Sequence, residues 1–187
     1  GIGLRGNDSG PCVAEGAVIP EENRLGPDGG GFDVMMGIVL PMFSLLNSAC
    51  SLGIAEAITQ RSATHVSGIR YAHLDSTLAD LPTIRAYIAR MRIKTDMARG
   101  LLLDTVSAME TGREDTMLRV LEVKAACNET AGEVADIGMR VCGGAAFRKD
   151  VGVERYFRDA RAGLVMAPTA DVLYDFIGKA VCGMDLF

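Results

Sequence analysis

The sequence has few aromatic residues, no tryptophan and only two histidines, His65 and His73. Helical bundles that hold two metal ions use Glu-x-x-His pairs on facing helices. Neither histidine follows a glutamate at that spacing, so the sequence predicts no metal site of this kind. The five cysteines are scattered, odd in number and without a Cys-x-x-Cys pair. They indicate free thiols in a reducing compartment, and we expect a cytoplasmic protein.

A strong excess of either charge is also missing, since the formal net charge is −5 over 187 residues. The sequence has no basic excess that would attract nucleic acid and no block of like charges typical of a disordered tail. We therefore expect no nucleic-acid partner. Hydrophobic residues make up 49% of the chain, which is enough for one main domain with a sizeable core.

The longest apolar run is short and interrupted. Val34–Leu46 contains Gly37, Pro41 and Ser44, whereas a helix needs about 20 consecutive apolar residues to cross a bilayer. The run predicts a deeply buried core helix and no membrane span. The chain also lacks an initiator methionine and opens in the middle of a pattern at Gly1, so we interpret it as a piece of a longer protein.

Composition divides the chain into two parts. Residues 1–31 are rich in glycine, proline, asparagine and aspartate, and the run 12–20 predicts one or two strands that end at Pro20. Because two strands alone are marginally stable, we expect this segment to complete a sheet of a preceding domain. Residues 32–187 form the second predicted domain, which is helical.

Apolar residues recur at three- and four-residue steps through the second part, as on one face of a helix. Proline is tolerated in a first turn, glycine stops helices, and threonine or aspartate caps them. We predict helices over 32–39, from Pro41 to about 66, from a Thr77 cap to about 110 with Gly112 as the stop, from 114 or 115 to Gly143-Gly144, over 153–161, and from a Thr169 or Asp171 cap to about 181. The pattern predicts an all-α antiparallel four-helix bundle in which the first half of the Pro41 helix is central.

Small residues line the third long helix, which would let another helix approach closely. They are Ala125, Ala126, Ala131, Gly132, Ala135 and Gly138. Two interpretations are equally open. The small residues face another subunit, or they pack inside the same bundle.

Several short motifs, in order along the chain, resemble the second half of an acyl-CoA dehydrogenase. They are Gly3-Leu4-Arg5-Gly6-Asn7-Asp8-Ser9, Val18-Ile19-Pro20 with Leu25-Gly26, Gly30-Gly31-Phe32, Lys124-Ala125-Ala126, Val141-Cys142-Gly143-Gly144 and Met166-Ala167-Pro168-Thr169. The resemblance implies that residues 1–31 are the end of the family's middle β-domain with a linker. It implies that residues 32–187 are its carboxyl-terminal helical bundle.

The resemblance also implies FAD held between subunits of a homodimer or tetramer, with an acyl-CoA or related small molecule as substrate. Arg140, Gly143 and Gly144 match a Gln-x-x-Gly-Gly stretch that meets the adenine and diphosphate side of the flavin cofactor, although Arg140 replaces the glutamine. Arg70 stands near the place of a phosphate-binding arginine, without the Phe-Gly that follows it in the family. A plain helix stop is the alternative for the two glycines.

Thr169 and Asp171 match positions at a helix start, where hydroxyl and backbone groups can meet the cofactor's phosphate or ribitol. Asp171 suits a phosphate poorly because both are anionic. For Thr169, a plain N-cap is the alternative.

Ala167 occupies the position of the family's catalytic glutamate, and alanine cannot remove a proton. A base could come from outside this chain, the reaction could differ, as in flavin monooxygenases of this fold, or the chain could be a non-catalytic partner that completes another chain's flavin site. His65 and His73 are the candidates for a replacement base, with solvent exposure as the alternative.

A dense set of charges follows the Gly-Gly pair: Glu154, Arg155, Arg158, Asp159 and Arg161. Their three- and four-residue spacing predicts ion pairs along one helix. The alternative is a surface that binds a nucleotide phosphate.

Overall fold

The computed structural model describes residues 1–185. Its helices are α1 (Gly31–Val34), α2 (Leu40–Gly68), α3 (Pro82–Thr111), α4 (Thr116–Cys142), α5 (Val153–Val165) and α6 (Ala170–Val181), with 3-10 turns at Glu21–Asn23, Leu78–Asp80 and Gly143–Phe147. A π-helical turn, Met35–Val39, joins α1 to α2 without a break. Two short antiparallel strands, β1 (Arg70–Tyr71) and β2 (Ser76–Thr77), pair Arg70 with Thr77 and Tyr71 with Ser76 between α2 and α3.

The helices form the predicted all-α bundle, and α4 lies at its centre in contact with α2, α3, α5 and α6. The main core joins side chains from four helices: Ala55, Ile58, Val66, Met91, Ala131, Val134, Ala135, Val153 and Ala160. Predicted helix ends are confirmed at Gly112, which adopts a left-handed conformation (φ 62°), and at Gly143. Both positions stop their helices because glycine has no Cβ to resist a positive φ.

The expected burial of α2 is wrong in this chain. No large apolar side chain of the run 34–46 is fully buried, with Ile38 61% and Leu46 59% accessible. The buried residues in the first half of α2 are mainly serines, and its more polar second half supplies the core residues Ile58 and Val66. Hydropathy marks which side chains favour burial, but small residues such as Ala55 decide which part of a helix can pack closely against α4.

The continuous helix Gly31–Gly68 is longer than its sequence predicts, since Gly37 and Pro41 do not end it. By length and composition it could cross a membrane, and 28% of its most apolar stretch is buried inside the structure. A core helix of a soluble protein passes the same test, so the absence of a membrane span stays a prediction.

Buried hydroxyl groups in the bundle bond to their own helices. Ser48 Oγ donates to Ser44 O (2.6 Å), Thr59 Oγ1 to Ala55 O (2.8 Å) and Thr95 Oγ1 to Met91 O (2.9 Å). This back-bonding to the residue four positions earlier satisfies a buried polar atom without a partner helix.

The small residues of α4 pack inside the bundle. A Cβ built at Gly138 would lie 2.5 Å from Ile58 Cγ2, and one at Gly132 would lie 3.1 Å from a Leu164 methyl carbon. Ala131 and Ala135 are fully buried. Of the two interpretations left open by the sequence, packing within one bundle is therefore the correct one for these positions.

The amino-terminal segment forms no strand between residues 1 and 30, so the predicted β segment is not formed in this chain. Its side chains are nearly all exposed, and no neighbouring strand is present there to supply the backbone partners that a strand requires. The segment contacts the bundle at one place, where Leu4 N donates to Asp159 Oδ1 at 2.7 Å.

Candidate functional site

The loop between α5 and α6 is held by a buried lysine. Lys124, on α4, is fully buried, and its Nζ donates to Met166 O at 2.8 Å and to Pro168 O at 2.6 Å. Its ammonium also lies 5.6 Å from the centroid of the Phe43 ring. Lys124 therefore fixes the backbone on both sides of Ala167, whose own side chain is exposed.

The Lys124 ammonium has no carboxylate partner among residues 1–185. Burial disfavours its charged form and lowers its pKa from the ordinary lysine value. The two carbonyl oxygens, which carry partial negative charge, and the face of the Phe43 ring compensate the ammonium. The sequence signal for this role is a lysine within the buried face of α4, beside Leu121 and Asn128.

A polar acceptor lies beside the same loop. Asn47 Nδ2 donates to Met166 Sδ at 3.3 Å, and within residues 1–185 Asn47 Oδ1 is buried without a hydrogen-bond partner. An unpartnered buried oxygen is costly, so this amide could accept a donor from a bound molecule.

An apolar cavity of about 410 Å³ adjoins the loop. Its lining comes from α2 and its preceding turn, α4, the loop and α6: Met35, Met36, Leu40, Met117, Leu121, Pro168, Leu173 and Phe176. Because the lining side chains are apolar, the cavity suits a hydrocarbon group more than a charged one.

Thr169 begins α6 as its N-cap, and its hydroxyl makes no capping hydrogen bond. The predicted position is confirmed, but the hydroxyl is not used in the way that a plain N-cap uses it. Asp171 is exposed in the first turn of α6. Close by on α6, Tyr174 donates its hydroxyl to Glu129, whose carboxylate raises the pKa of Tyr174 to about 12.

The Gly-Gly pair lies at the other end of the bundle. Gly143 has φ 54° and ψ −138°, a conformation that requires glycine, whereas Gly144 does not have a positive φ. Both glycines are exposed, and a Cβ at either would meet nothing within 4 Å. Neither the backbone conformation nor the packing of this chain requires glycine at position 144. A bound molecule that approaches the backbone closely would require it.

Two arginines predicted for the cofactor are also exposed at this end. Arg140 lies in the last turn of α4, and Arg70 lies on β1, where it pairs with Asp75 at 2.8 Å. The Arg70–Asp75 pair neutralises part of the charge that a phosphate would require.

The structure thus separates the predicted site residues into two groups. Lys124 and Arg140 are sixteen positions apart on α4, about 24 Å at the helical rise. Ala167, Thr169 and Asp171 lie at the Lys124 end. The other group, with Gly143, lies at the Arg140 end.

The histidines are far from Ala167. His65 lies eighteen positions after Asn47 on α2, about 27 Å along the helix, and His73 lies beyond it in the turn between β1 and β2. Neither can reach a proton next to Ala167 of the same chain. Within residues 1–185 no group of three or more histidine, cysteine, aspartate or glutamate residues could hold a metal ion.

The charges of α5 form the predicted ion pairs. Arg158 pairs with Glu154, and Arg155 Nε lies 3.7 Å from Asp159 Oδ2. Arg161 pairs with Asp136 of α4 at 2.6 Å. The five cysteines are free in the structure, as predicted, and burial raises the pKa of the Cys127 thiol to about 12.

These features show that the protein is an all-helical bundle domain. A lysine-held loop beside an apolar cavity lies at one end of the bundle, and an exposed glycine pair lies at the other. A family model described as "Acyl-CoA dehydrogenase, C-terminal domain" matches residues 29–182. The chain belongs to the acyl-CoA dehydrogenase family.

Among curated relatives, the chain is 25% identical over 182 residues to the very long-chain specific acyl-CoA dehydrogenase, mitochondrial, of Mus musculus, covering 97% of this chain and 27% of the relative. It is 27% identical over 184 residues to the acryloyl-CoA reductase (NADH) of Anaerotignum propionicum, covering 96% of this chain and 45% of the relative. The chain thus spans less than half the length of these relatives.

Among solved structures, the chain resembles a glutaryl-coenzyme A dehydrogenase in complex with glutaryl-CoA, with a TM-score of 0.82 and 25% identity over 90% of this chain and 42% of the other. It also shares its fold with the butyryl-CoA dehydrogenase of Megasphaera elsdenii, with a TM-score of 0.80 and 24% identity over 88% of this chain and 42% of the other.

Proposed function

We propose that this chain is the carboxyl-terminal helical part of an FAD-dependent oxidoreductase that acts on an acyl thioester or a related small molecule. The observation that carries the proposal is the lysine-held loop beside an apolar cavity, in a chain of the acyl-CoA dehydrogenase family. The cavity could take an apolar acyl chain, and the loop would present position 167 to it.

The residues fit a flavin cofactor at two places. Gly143 and Gly144 leave open space for close approach to a phosphate, and Arg140, in the last turn of α4, would add a cation near it. Arg70, on β1, is a further exposed cation that could contribute. The free hydroxyl of Thr169 could meet a second cofactor molecule, or a distant part of the same one, at the other end. When bound, a flavin would accept a hydride from substrate or activate oxygen after reduction.

The separation of the two groups by about 24 Å favours a cofactor shared between subunits. We therefore propose a homodimer or tetramer, in which one subunit's Gly143 end meets the cofactor of its neighbour. Sedimentation equilibrium of the full-length protein tests this assembly, and a monomer that still binds flavin would contradict it. The cytoplasmic location stays a prediction, because the curated relatives include a mitochondrial enzyme.

Ala167 favours a second function in the same fold. Within residues 1–185 no carboxylate replaces the family's glutamate on the loop, so α-proton removal has no base there. A flavin monooxygenase or a non-catalytic partner subunit would need none.

Flavin absorbance of the purified full-length protein tests the cofactor. We expect a yellow protein, or one that takes up added FAD. A colourless protein that does not take up FAD would overturn the enzyme proposal. If flavin is bound, anaerobic bleaching by an acyl-CoA distinguishes a dehydrogenase from a monooxygenase.

The substitution Ala167→Glu tests whether position 167 faces the substrate. Because Lys124 holds the backbone on both sides, we expect the new carboxylate to speed anaerobic bleaching by acyl-CoA about 100-fold or more, the usual contribution of a positioned base. Ala167→Gln is the matched control, since it has the same shape without the basic oxygen. Equal rates in the two variants would show that position 167 does not meet the substrate.

A further inference from the structure

A groove opens between α2 and the start of α5, towards the end of the bundle that carries Gly143, and none of its lining residues is assigned above to the cofactor. Its larger part is about 580 Å³ and a smaller adjoining part is about 260 Å³. Arg61 and Tyr156 line both parts, and Lys149 and Arg155 line the smaller one. We call it the Arg61 groove.

The cations of the Arg61 groove are largely unpaired. Arg61 Nη1 has only a long hydrogen bond, 3.5 Å, to the neutral carbonyl of Val151. Among residues 1–185, neither Arg61 nor Lys149 forms an ion pair. Arg155 has only the long ion pair with Asp159 described above, 3.7 Å from Nε to Oδ2, which exceeds a good hydrogen-bond distance.

Two carboxylates also line the groove, Asp150 in its larger part and Glu154 in its smaller part, and each has an arginine partner. Asp150 accepts from Arg148 Nε and Nη2 at 3.1 and 2.6 Å. Glu154 pairs with Arg158 one turn further along α5. Each acid is therefore matched with an arginine of its own, and the groove retains excess positive charge although the chain as a whole is at −5.

A single tyrosine ring positions the two arginines. Arg61 Cζ lies 5.4 Å and Arg155 Cζ 5.1 Å from the centroid of the Tyr156 ring. The ring attracts each cation through its face, and this contact leaves the N–H donors at the guanidinium edge available. Two like charges beside one ring repel each other, and an anion bound between the guanidinium groups would relieve that repulsion.

The backbone is shaped to admit Arg61. Gly152 has φ 75°, and a Cβ built there would lie 2.8 Å from Arg61 Nη1. Glycine at 152 therefore lets the guanidinium lie against the turn that carries Lys149.

We propose that the Arg61 groove binds a phosphate-type anion, with Arg61 and Arg155 donating to its oxygens and Lys149 adding charge. Planar guanidinium groups match phosphate oxygens in paired hydrogen bonds. The anion is either a free polyphosphate or the phosphate of a nucleotide. This site goes beyond the proposed flavin function, because it lies on residues not assigned to that cofactor.

Isothermal titration of the full chain with inorganic pyrophosphate, at fixed low ionic strength, tests the proposal. We expect saturable binding that Arg61→Gln and Arg155→Gln each weaken by about tenfold or more, since a charge-assisted hydrogen bond is lost. Arg24→Gln is the matched control. It removes the same charge from an exposed arginine that pairs only with Glu21, and we expect less than about a twofold change at this ionic strength.

Absence of saturable heat would overturn the proposal, as would equal weakening by Arg24→Gln, which would indicate a general charge effect. Circular dichroism and thermal melts verify that each variant is folded. Tighter binding of ADP than of pyrophosphate would identify a nucleotide phosphate, and equal binding a free anion. In the full-length protein, Arg61→Gln should keep any flavin absorbance, so failure of this site and failure of the flavin proposal are distinguishable.

Discussion

Lys124 connects the centre of the bundle to the loop that carries Ala167, the residue at the position of the family's catalytic glutamate. Its ammonium bonds the carbonyls of Met166 and Pro168, and those residues flank Ala167. The tether therefore maintains the loop geometry even though the expected base is absent. Lys124 thus stabilises the backbone position of this loop.

Replacing Lys124 should loosen the loop. In Lys124→Met we expect hydrogen exchange at the bordering amides of Met166 and Leu173 to rise about tenfold or more, because two buried carbonyls lose bonds of about 1–3 kcal/mol each. Lys179→Met is the control, since Lys179 pairs on the surface with Asp175. Unchanged exchange in Lys124→Met would mean that the loop is held by other contacts.

The charge state of Lys124 should also make stability depend on pH. Burial lowers the pKa of Lys124 in the folded chain, so at alkaline pH the unfolded chain binds the proton more tightly. The contribution of Lys124 to the free energy of unfolding is lowest at neutral pH. It rises as the pH increases from the folded-state pKa toward the ordinary lysine pKa of about 10.5. Urea unfolding of the native chain and of Lys124→Met, compared at increasing pH, should show the difference grow in favour of the native chain.

At the scale of elements, close helix packing depends on glycine and alanine in α4. Gly138 faces Ile58 of α2, and Gly163 of α5 faces Asn128. Asn128 accepts a hydrogen bond from Ser51 Oγ at 2.6 Å, so α2, α4 and α5 meet at one buried polar contact. These contacts hold α2 against α4 from Ser51 to Ile58.

Two glycine-to-alanine substitutions should have opposite effects on stability. Gly138→Ala forces a contact of 2.5 Å with Ile58 Cγ2, and we expect a loss of about 1–3 kcal/mol from overpacking. Gly100, in the middle of α3, is exposed with nothing within 4 Å of an added Cβ. Gly100→Ala should gain about 0.5–1 kcal/mol in the free energy of unfolding, measured by urea denaturation. Equal effects would contradict the packing argument.

At the scale of the whole molecule, the continuous helix Gly31–Gly68 exposes an apolar face along its first half in this chain. The exposed side chains are Phe32, Met35, Ile38, Val39, Met42 and Leu46. No charged residue interrupts the sequence from 34 to 55. Exposed apolar surface of this extent is typical of a surface that packs against another part of a protein or another subunit.

This face should bind a hydrophobic dye and promote self-association of the 187-residue chain. We expect Ile38→Ser with Met42→Ser to reduce dye fluorescence and association, measured by sedimentation. Ile93→Ser with Met97→Ser is the matched control, since that pair has the same spacing and is exposed on α3 but is flanked by charged residues. A larger effect of the control pair would contradict this interpretation of the face.

Local signals in the sequence predicted much of the fold. Gly112 and Gly143 stop helices because a positive φ suits glycine, and Thr169 begins α6 as predicted. The alternation of helices and short connections was also enough to predict the bundle. The site was predicted less completely. The contacts of Lys124 with the loop join residues more than forty positions apart, and the Arg61 groove joins residues more than eighty positions apart. No local sequence pattern encodes such contacts.

The sequence by itself therefore determined most of the helices, several of their ends and the family, because propensity, capping and motif order are local properties of the chain. It also determined that alanine, which cannot accept a proton, occupies position 167, where the family has its catalytic glutamate. Only the tertiary structure decided that α4 is the central helix, that the large apolar side chains of the run 34–46 are not fully buried in this chain, and that the predicted site residues form two groups. Those outcomes depend on which surfaces meet in three dimensions, and close packing of small residues outweighed hydropathy in deciding them.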